Sequence, residues 1–230
     1  GAVPILELAE PLLGTLREAD IKLTAKGNLP PKLCEMIGAA YFTDSAHPLR
    51  HSYGRYNRED QFPQLHEVRV VLDIAGLIKV RKGYLSLTQK CRKLLTGPNP
   101  SGELYQALFD TYTKRYNWSY AGGYDSLVII QQSMWFNLRS LWNSEARWHD
   151  ADELGEAFLA AYPAAVLDVG DVSYSTPDER VKRQFTWRFV ERFCFWFGLV
   201  DVREVSGSGL LNTLQARPTA LLKSLVEFHV

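Results

Sequence analysis

The amino-acid sequence predicts an α+β fold, mostly α-helical, in which two tandem modules share one order of elements. A short internal repeat is the first observation: residues 76–81 read G-L-I-K-V-R and residues 198–203 read G-L-V-D-V-R, an offset of about 122 residues. Apolar residues at helical spacing precede both copies of this motif. A segment rich in glycine and proline, 96–102, separates the two halves. Together these observations predict an internal repeat.

The first half predicts the order helix, strand, helix, helix, hairpin and helix. Apolar residues at helical spacing, Leu65, Val68, Leu72 and Ala75, predict a helix that ends at Gly76, where a left-handed C-cap residue belongs. Alternating apolar residues then predict a hairpin with its turn at 81–83. The other predicted elements are helices at about 5–18, 31–42 and 89–95 and strands at 21–24 and 84–88.

The second half predicts the same order around an aromatic helix. Its apolar residues recur every four positions up to Gly198: Val181, Phe185, Phe189, Phe193 and Phe197. Thr176 and Glu179 form a capping-box pattern before this helix, and Asp150 is a candidate cap for an earlier one. Pro218 suits the first turn of the last helix. The other predicted elements are helices at about 127–142, 151–162 and 218–228, a turn at 206–209 and a strand at 210–215.

Helix, strand, turn, strand and helix in this order form the back half of a winged-helix domain. The sequence therefore predicts two tandem winged-helix-like modules, at residues 1–96 and 125–230. Residues 97–124 are predicted to be a linker with a bridging helix at 103–116, because breakers flank that helix on both sides.

Two segments resemble known families. Residues 85–91, L-S-L-T-Q-K-C, resemble the L-x-L-T-x-x-G signature that ends the wing of many bacterial winged-helix proteins, with Cys91 at the usual glycine. Residues 23–30, L-T-A-K-G-N-L-P, resemble a segment of uncharacterised bacterial plasmid-type proteins. The resemblance implies a fold more than an activity, since winged helices bind DNA, RNA or proteins.

The hairpin and the helix after it form a basic segment, which we call the basic wing (residues 79–93). It carries no acid and six cations: Lys79, Arg81, Lys82, Lys90, Arg92 and Lys93. Such a segment can contact phosphates of nucleic acid. The alternative is a solvated edge, because cations on exposed strands also discourage edge-to-edge pairing.

The aromatic helix carries a second candidate surface. At about 100° per residue, Arg180, Gln184, Arg188 and Glu191 fall roughly opposite the aromatic stripe, with Arg192 nearer its edge. Arginine and glutamine can read base edges in a major groove. The alternative is a solvated face of a core helix, and the nearby acid Glu191 favours it.

The corresponding helix of the first half is less suited to DNA. Its outward positions are predicted to be Gln64, Glu67, Arg69 and Asp73, so acids and cations alternate there.

Aromatic residues concentrate in two places. Core packing explains most of those in the aromatic helix, but Trp187 and Phe195 lie outside its stripe and indicate an interface as the alternative. Trp118, Tyr120 and Tyr124 surround Gly122-Gly123, a pattern that fits an inter-domain hinge or a base-stacking loop.

Signatures of metal sites and catalysis are weak. His47 and His51 are four residues apart, with His66 further on, but Pro48 argues against a helix there. Asp168 and Asp171 flank Gly170, and the serines near Gly207 have no neighbouring histidine. The three cysteines, Cys34, Cys91 and Cys194, are predicted to be buried thiols of a reducing compartment. We therefore expect a non-enzymatic cytoplasmic protein without metal or small-molecule cofactor.

The composition leaves two partners open. The chain of 230 residues has 26 Lys plus Arg and 26 Asp plus Glu, so it has no net charge, and it lacks the long apolar run of a membrane span. The first hundred residues have an excess of cations and the remainder an excess of acids. The first half favours a regulator that binds duplex DNA, and the second favours a protein partner or self-association.

Overall fold

The computed structural model of the chain describes residues 3–42, 56–120, 126–144, 146–170, 173–206 and 212–225. The fold is α+β and mostly helical, with two small three-stranded sheets. The chain divides into two compact units. In the described residues, the first unit comprises 4–42 and 56–117, and the second comprises residue 3 and the described part of 118–225.

The first unit contains five α-helices and three strands in its described residues. They are α1 (Pro4–Glu18), β1 (Ile21–Lys22), α2 (Pro31–Tyr41), a 3-10 turn (Glu59–Gln61), α3 (Pro63–Ile74), β2 (Ile78–Arg81), β3 (Tyr84–Leu87), α4 (Gln89–Leu95) and α5 (Pro100–Lys114).

The sheet of the first unit is antiparallel with the strand order β1-β3-β2. Ile21, Leu85 and Ile78 lie on its covered face and are buried. Helix α1 packs against α3 and β3, which places the core between this face and the helices. The opposite face of the sheet remains open to solvent.

Helix α5 belongs to the first unit. It packs against α1, α3 and α4 and buries Leu104 and Leu108, among other residues. The unit thus extends beyond residue 96, where the sequence placed the end of the first module. The reason is that α5 has an apolar face, which is buried only by contact with the core that the other helices form.

The second unit has the same strand order in its own sheet, β4-β6-β5. Its elements are α6 (Val128–Gln132), α7 (Met134–Asn143), β4 (His149–Asp150), α8 (Ala151–Ala161), a 3-10 helix (Pro163–Asp168), α9 (Pro177–Phe185), a π-helix (Thr186–Phe195), β5 (Val200–Ser206), β6 (Asn212–Pro218) and α10 (Ala220–Leu225).

The aromatic stripe forms the core of the second unit, as predicted. Phe185 stacks on Phe158 of α8 with ring centroids 4.6 Å apart, and Phe189 follows at 5.1 Å from Phe185. Phe193 and Phe197 continue the series, and all of these rings are buried. Phe195, expected outside the stripe, is buried too, because the helix widens from α9 into the π-helix and its side chains change phase.

Two glycines end the central helices in the same way. Gly76 has a φ of 69° and Gly198 a φ of 66°, the left-handed geometry expected of a C-cap residue. The amide after each glycine donates back into the helix, Leu77 to the carbonyl of Leu72 and Leu199 to that of Cys194. The predicted helix ends are confirmed.

Some local predictions are wrong in detail. Asp150 does not cap α8, because its carboxylate accepts a hydrogen bond from Gln215 instead. Pro218 ends strand β6 rather than starting a helix. The helix predicted at 127–142 is broken at Ser133, whose hydroxyl donates to the carbonyl of Ile129. The capping box of Thr176 and Glu179 is confirmed.

Candidate functional site

The structure brings four cations of the basic wing to one cleft on the open face of the first sheet. The cleft has a volume of about 520 Å³. Its cations are Lys79, Arg81, Lys82 and Arg92, and we call it the basic cleft. The rest of its lining is Asp20, Tyr84, Ser86, Leu87 and Gln89.

Strand β2 and the turn after it position the cations. Lys79 and Arg81 are two residues apart on β2, so their side chains leave the same face, opposite Ser86 and Tyr84 of β3. Lys82 and Gly83 have φ angles of 51° and 77°. Positive φ at both central residues is the geometry of a type I′ hairpin turn. The predicted turn at 81–83 is confirmed, and it places Lys82 at the tip of the hairpin.

The basic cleft keeps its positive charge. Within the described part of the chain, none of its four cations forms an ion pair or hydrogen bond with a side chain. All four are exposed, and Asp20 is the one acid among the described residues that line the cleft. Such a surface has a positive field that can attract an anion.

The other two cations of the basic wing point elsewhere. The ammonium of Lys90 donates to the carbonyl of Ala75 at 2.8 Å, so it satisfies the end of α3. Lys93 is exposed on α4 and does not line the cleft. The basic wing is thus divided between a cleft of four cations and two separate side chains.

Sequence reasoning missed the contribution of strand β1. Lys22 pairs with Tyr84 in the sheet, which places it on the same face as Arg81. Tyr84 is 42% exposed between these two cations. Only the register of β1 and β2 against β3 brings Lys22, Tyr84 and Arg81 together. Neither the charge nor the spacing of these residues in the sequence indicates that register.

Helix α3 does not present the polar face that the sequence predicts. Glu67 is only 2% exposed, because Tyr112 of α5 covers it and donates a hydrogen bond of 3.0 Å to its carboxylate. Arg69 points back into the unit, with its guanidinium 2.7 Å from the carboxylate of Glu59. The expectation that Glu67 and Arg69 point outward is therefore wrong.

Glu59 is the centre of a buried polar cluster beside α3. Its carboxylate accepts hydrogen bonds from the amide of Leu29 at 2.6 Å and from the ring of His66 at 2.8 Å, and it pairs with Arg69. Burial by itself would raise the pKa of Glu59, but the hydrogen bonds from His66 and Leu29 and the charge of Arg69 outweigh it and lower the pKa. The cluster ties residues 27–29 to α3, and it has a structural role.

The candidate residues on the aromatic helix do not form a surface. Gln184 and Arg188 are each only 1% exposed. The guanidinium of Arg180 donates to the carbonyl of Gly170, and that of Arg192 lies between the rings of Trp187 and Trp196, at 5.4 and 4.7 Å from their centroids.

The prediction that Gln184 and Arg188 point to a nucleic acid is therefore wrong. The reason is that α9 and the π-helix are covered on several sides, by α8, β5, α6 and the 3-10 helix. Gln184 and Arg188 lie on the covered sides, whereas Arg183 is exposed and Trp187, Glu191 and Arg192 are half-buried.

On the open face of the second sheet, the polar side chains bond to one another. Arg217 pairs with Asp201 across the strands at 2.7 Å. Arg203 donates to the amide oxygen of Gln215, and the amide nitrogen of Gln215 donates to Asp150 at 2.7 Å. The ring of Trp148 lies against both guanidinium groups, at 4.2 Å from Arg203 and 4.8 Å from Arg217.

Among the described residues, no group of three histidine, cysteine, aspartate or glutamate residues could hold a metal ion, and His66 bonds to Glu59. Across the same residues, no helix is both long and apolar enough to cross a bilayer. Cys34, Cys91 and Cys194 are buried free thiols, and burial raises the pKa of each.

Several candidates of the sequence analysis lie outside the described residues. They are His47, His51, Asp171, the glycine pair at 122–123 with Tyr124, and the turn at 207–209.

Comparison with known proteins finds no match for this chain among protein-family models, curated proteins or solved structures.

Proposed function

We propose that this protein is a non-enzymatic nucleic-acid-binding module that holds phosphates in the basic cleft. One observation carries the proposal: Lys79, Arg81, Lys82 and Arg92 line one cleft on an open sheet face, and none of them forms an ion pair with a described side chain. Exposed cations can neutralise the phosphates of a nucleic acid, and the release of the phosphate counterions then favours binding.

The proposal includes the fold family and the location. We propose that both units are winged-helix-like modules, supported by the matching strand orders, the repeated G-L-x-x-V-R motif and the left-handed glycines at 76 and 198. The three buried free cysteines support a cytoplasmic location.

The test is fluorescence anisotropy with labelled nucleic acid, both single strands and duplex, at two salt concentrations. If four phosphates are neutralised, the slope of log K against log salt is about −2.8 for a single strand, so raising salt from about 50 to about 200 mM weakens binding about 50-fold. An R81E/K82E variant should reduce this slope to about −1.4 and lower affinity at both salt concentrations.

The matched control is K26E/K32E. Lys26 and Lys32 are exposed in the first unit and lie outside the cleft, so this variant has the same change of net charge. It should bind nearly as the native protein does. Affinity that does not change with salt, or an equal loss in both double variants, would contradict the proposal.

A protein-interaction or scaffold module is the second candidate, and an exposed aromatic pair favours it. Trp135 is 49% exposed and Phe136 51% exposed on α7. Adjacent exposed aromatic residues are typical of interfaces. Light scattering across a concentration series tests self-association, which a W135S/F136S variant should abolish. A monomer at every concentration would contradict self-association through this pair.

A further inference from the structure

The floor of the basic cleft carries an aromatic ring between two cations. Tyr84 is the first residue of the central strand β3 and pairs with Lys22 on one side and Arg81 on the other. Its side chain lines the cleft and is 42% exposed. An exposed tyrosine on a sheet face, flanked by cations, can stack a base while the cations hold the adjoining phosphates.

In the described part of the same unit, the polar side chains of α3 are poorly placed to read a duplex. Duplex recognition by helical domains places a helix in the major groove, with its polar side chains on base edges. Here Glu67 of α3 is buried under Tyr112, and Arg69 is paired with Glu59. The side of α3 that carries Glu67 and Arg69 is therefore not available for such a contact.

The size of the cleft fits a short piece of a single strand. Clefts of roughly 300 to 1,000 Å³ enclose ligands of drug size, which is the size of one or two nucleotides. At about 520 Å³ the basic cleft lies within this range. Bases in a duplex are stacked on one another and present no free face to a tyrosine, whereas an unpaired base does.

We propose that the basic cleft binds single-stranded nucleic acid, with one unpaired base stacked on Tyr84 and its neighbouring phosphates held by Arg81, Lys82 and Lys79. This inference rests on the proposed function, since it assigns the class of nucleic acid to the same cleft. It adds a preference for unpaired over paired bases and a residue, Tyr84, that carries the preference.

The experiment compares labelled oligothymidylate and oligouridylate with a hairpin closed by a non-nucleotide linker, so that every base is paired, and with the same number of phosphates, all at low salt. We expect both single strands to bind at least about tenfold more tightly than the hairpin, because stacking of a single base has about this effect. The two single strands differ in the sugar and in the 5-methyl group of the base, and preference for either over the hairpin supports the proposal.

Three variants at Tyr84 test the role of its ring. Y84F keeps the ring and should keep the single-strand affinity within about twofold, while Y84A should lower it about tenfold. Y84L keeps apolar bulk on the strand and should behave as Y84A does, which separates stacking from folding. None of the three should change hairpin affinity, and thermal unfolding confirms that each is folded.

A 5-bromouracil oligonucleotide gives an independent readout. Irradiation should cross-link it to the peptide that contains Tyr84, located by mass spectrometry. Equal affinity for strand and hairpin, or equal losses for both in Y84A and Y84L, would overturn the single-strand assignment and leave phosphate binding intact. Absence of binding to every probe would instead overturn the proposed function.

Discussion

The open faces of the two sheets carry arginines at corresponding positions of the repeat, Arg81 in the first unit and Arg203 in the second. In the first, Arg81 lines a cleft and has no described side-chain partner. In the second, Arg203 bonds to Gln215 and lies over Trp148. The same sheet topology thus presents one arginine that is available to a ligand and another that is already bonded within the protein.

A second repeat position adds to this difference. Lys79 of the first motif corresponds to Asp201 of the second, and Asp201 pairs with Arg217 across the strands. An acid at this position neutralises its neighbours, whereas a lysine adds to their charge. The number of cations on a sheet face is therefore a poor guide to binding unless their partners are known.

Two glutamates, Glu59 buried and Glu191 half-buried, show a similar contrast. In the first unit, hydrogen bonds and Arg69 overcome the effect of burial and keep the pKa of Glu59 low. In the second unit, burial and then the charge of Glu204 raise the pKa of Glu191 to about 7. The first carboxylate is stabilised as an anion, and the second favours its protonated form.

The largest expected effect concerns Glu191. Because its pKa is raised from 4.5 to about 7, the folded state binds the extra proton in this range. The free energy of unfolding should therefore fall by about 3 kcal/mol as pH rises from 4.5 to 7 and remain low above pH 7.

Urea denaturation followed by tryptophan emission measures this effect in the second unit, because all six tryptophans lie at or after residue 118. E191Q should abolish this pH dependence and stabilise the unit at pH 8. A variant that keeps the native pH profile would show that Glu191 is not its source.

Arg188 and Arg81 should respond in opposite ways to truncation. R188A removes one of the largest fully buried side chains and should lower the free energy of unfolding by about 2 to 3 kcal/mol without changing nucleic-acid affinity. R81A should change stability by less than about 0.5 kcal/mol and weaken binding. Denaturation measures the stability of both variants, and anisotropy measures their affinity for nucleic acid. A binding defect in R188A that is still folded would contradict the structural role assigned to Arg188.

A charge exchange at the repeat position tests the comparison directly. K79D gives the first sheet the residue of the second and should weaken nucleic-acid binding about tenfold, since it removes a contact and adds repulsion. D201K makes the reverse change and should release Arg217, so that affinity at low salt rises. If neither variant alters affinity in anisotropy titrations, pairing at this position does not decide binding.

The smallest effect concerns the tip of the hairpin. Lys82 has a left-handed backbone, which asparagine tolerates better than lysine. K82N should raise the free energy of unfolding by about 0.5 to 1 kcal/mol and still reduce affinity, because it removes a cation. Circular dichroism melting and anisotropy measure the two effects, and a variant that is both less stable and equally tight would contradict this account of the turn.

Local patterns predicted much of the fold. The glycine caps at 76 and 198, the turn at 81–83 and the aromatic stripe all depend on residues close in sequence, and the structure has them. The packing of α5 was missed, because its contact from Tyr112 to Glu67 joins residues 45 positions apart. The π-helix was missed because the prediction assumed a constant helical angle.

The candidate site was predicted only in part, because local sequence patterns do not show which residues strand pairing and packing bring together. Lys79, Arg81, Lys82 and Arg92 come from one continuous segment, so charge alone indicated them. Lys22 and Asp20 reach the same face only through pairing with a strand some sixty residues later. Gln184 and Arg188 were misplaced because neighbouring elements, and not the sequence of their own helix, decide their burial.

The position of α5 decides where the chain can be cut. A fragment that ends at residue 96 would leave the carboxylate of Glu67 without Tyr112 and would expose the surfaces of α1, α3 and α4 on which α5 packs. A fragment that ends at Asn117 keeps these contacts. Expression of the first unit by itself should therefore yield soluble material with the longer fragment and aggregation with the shorter.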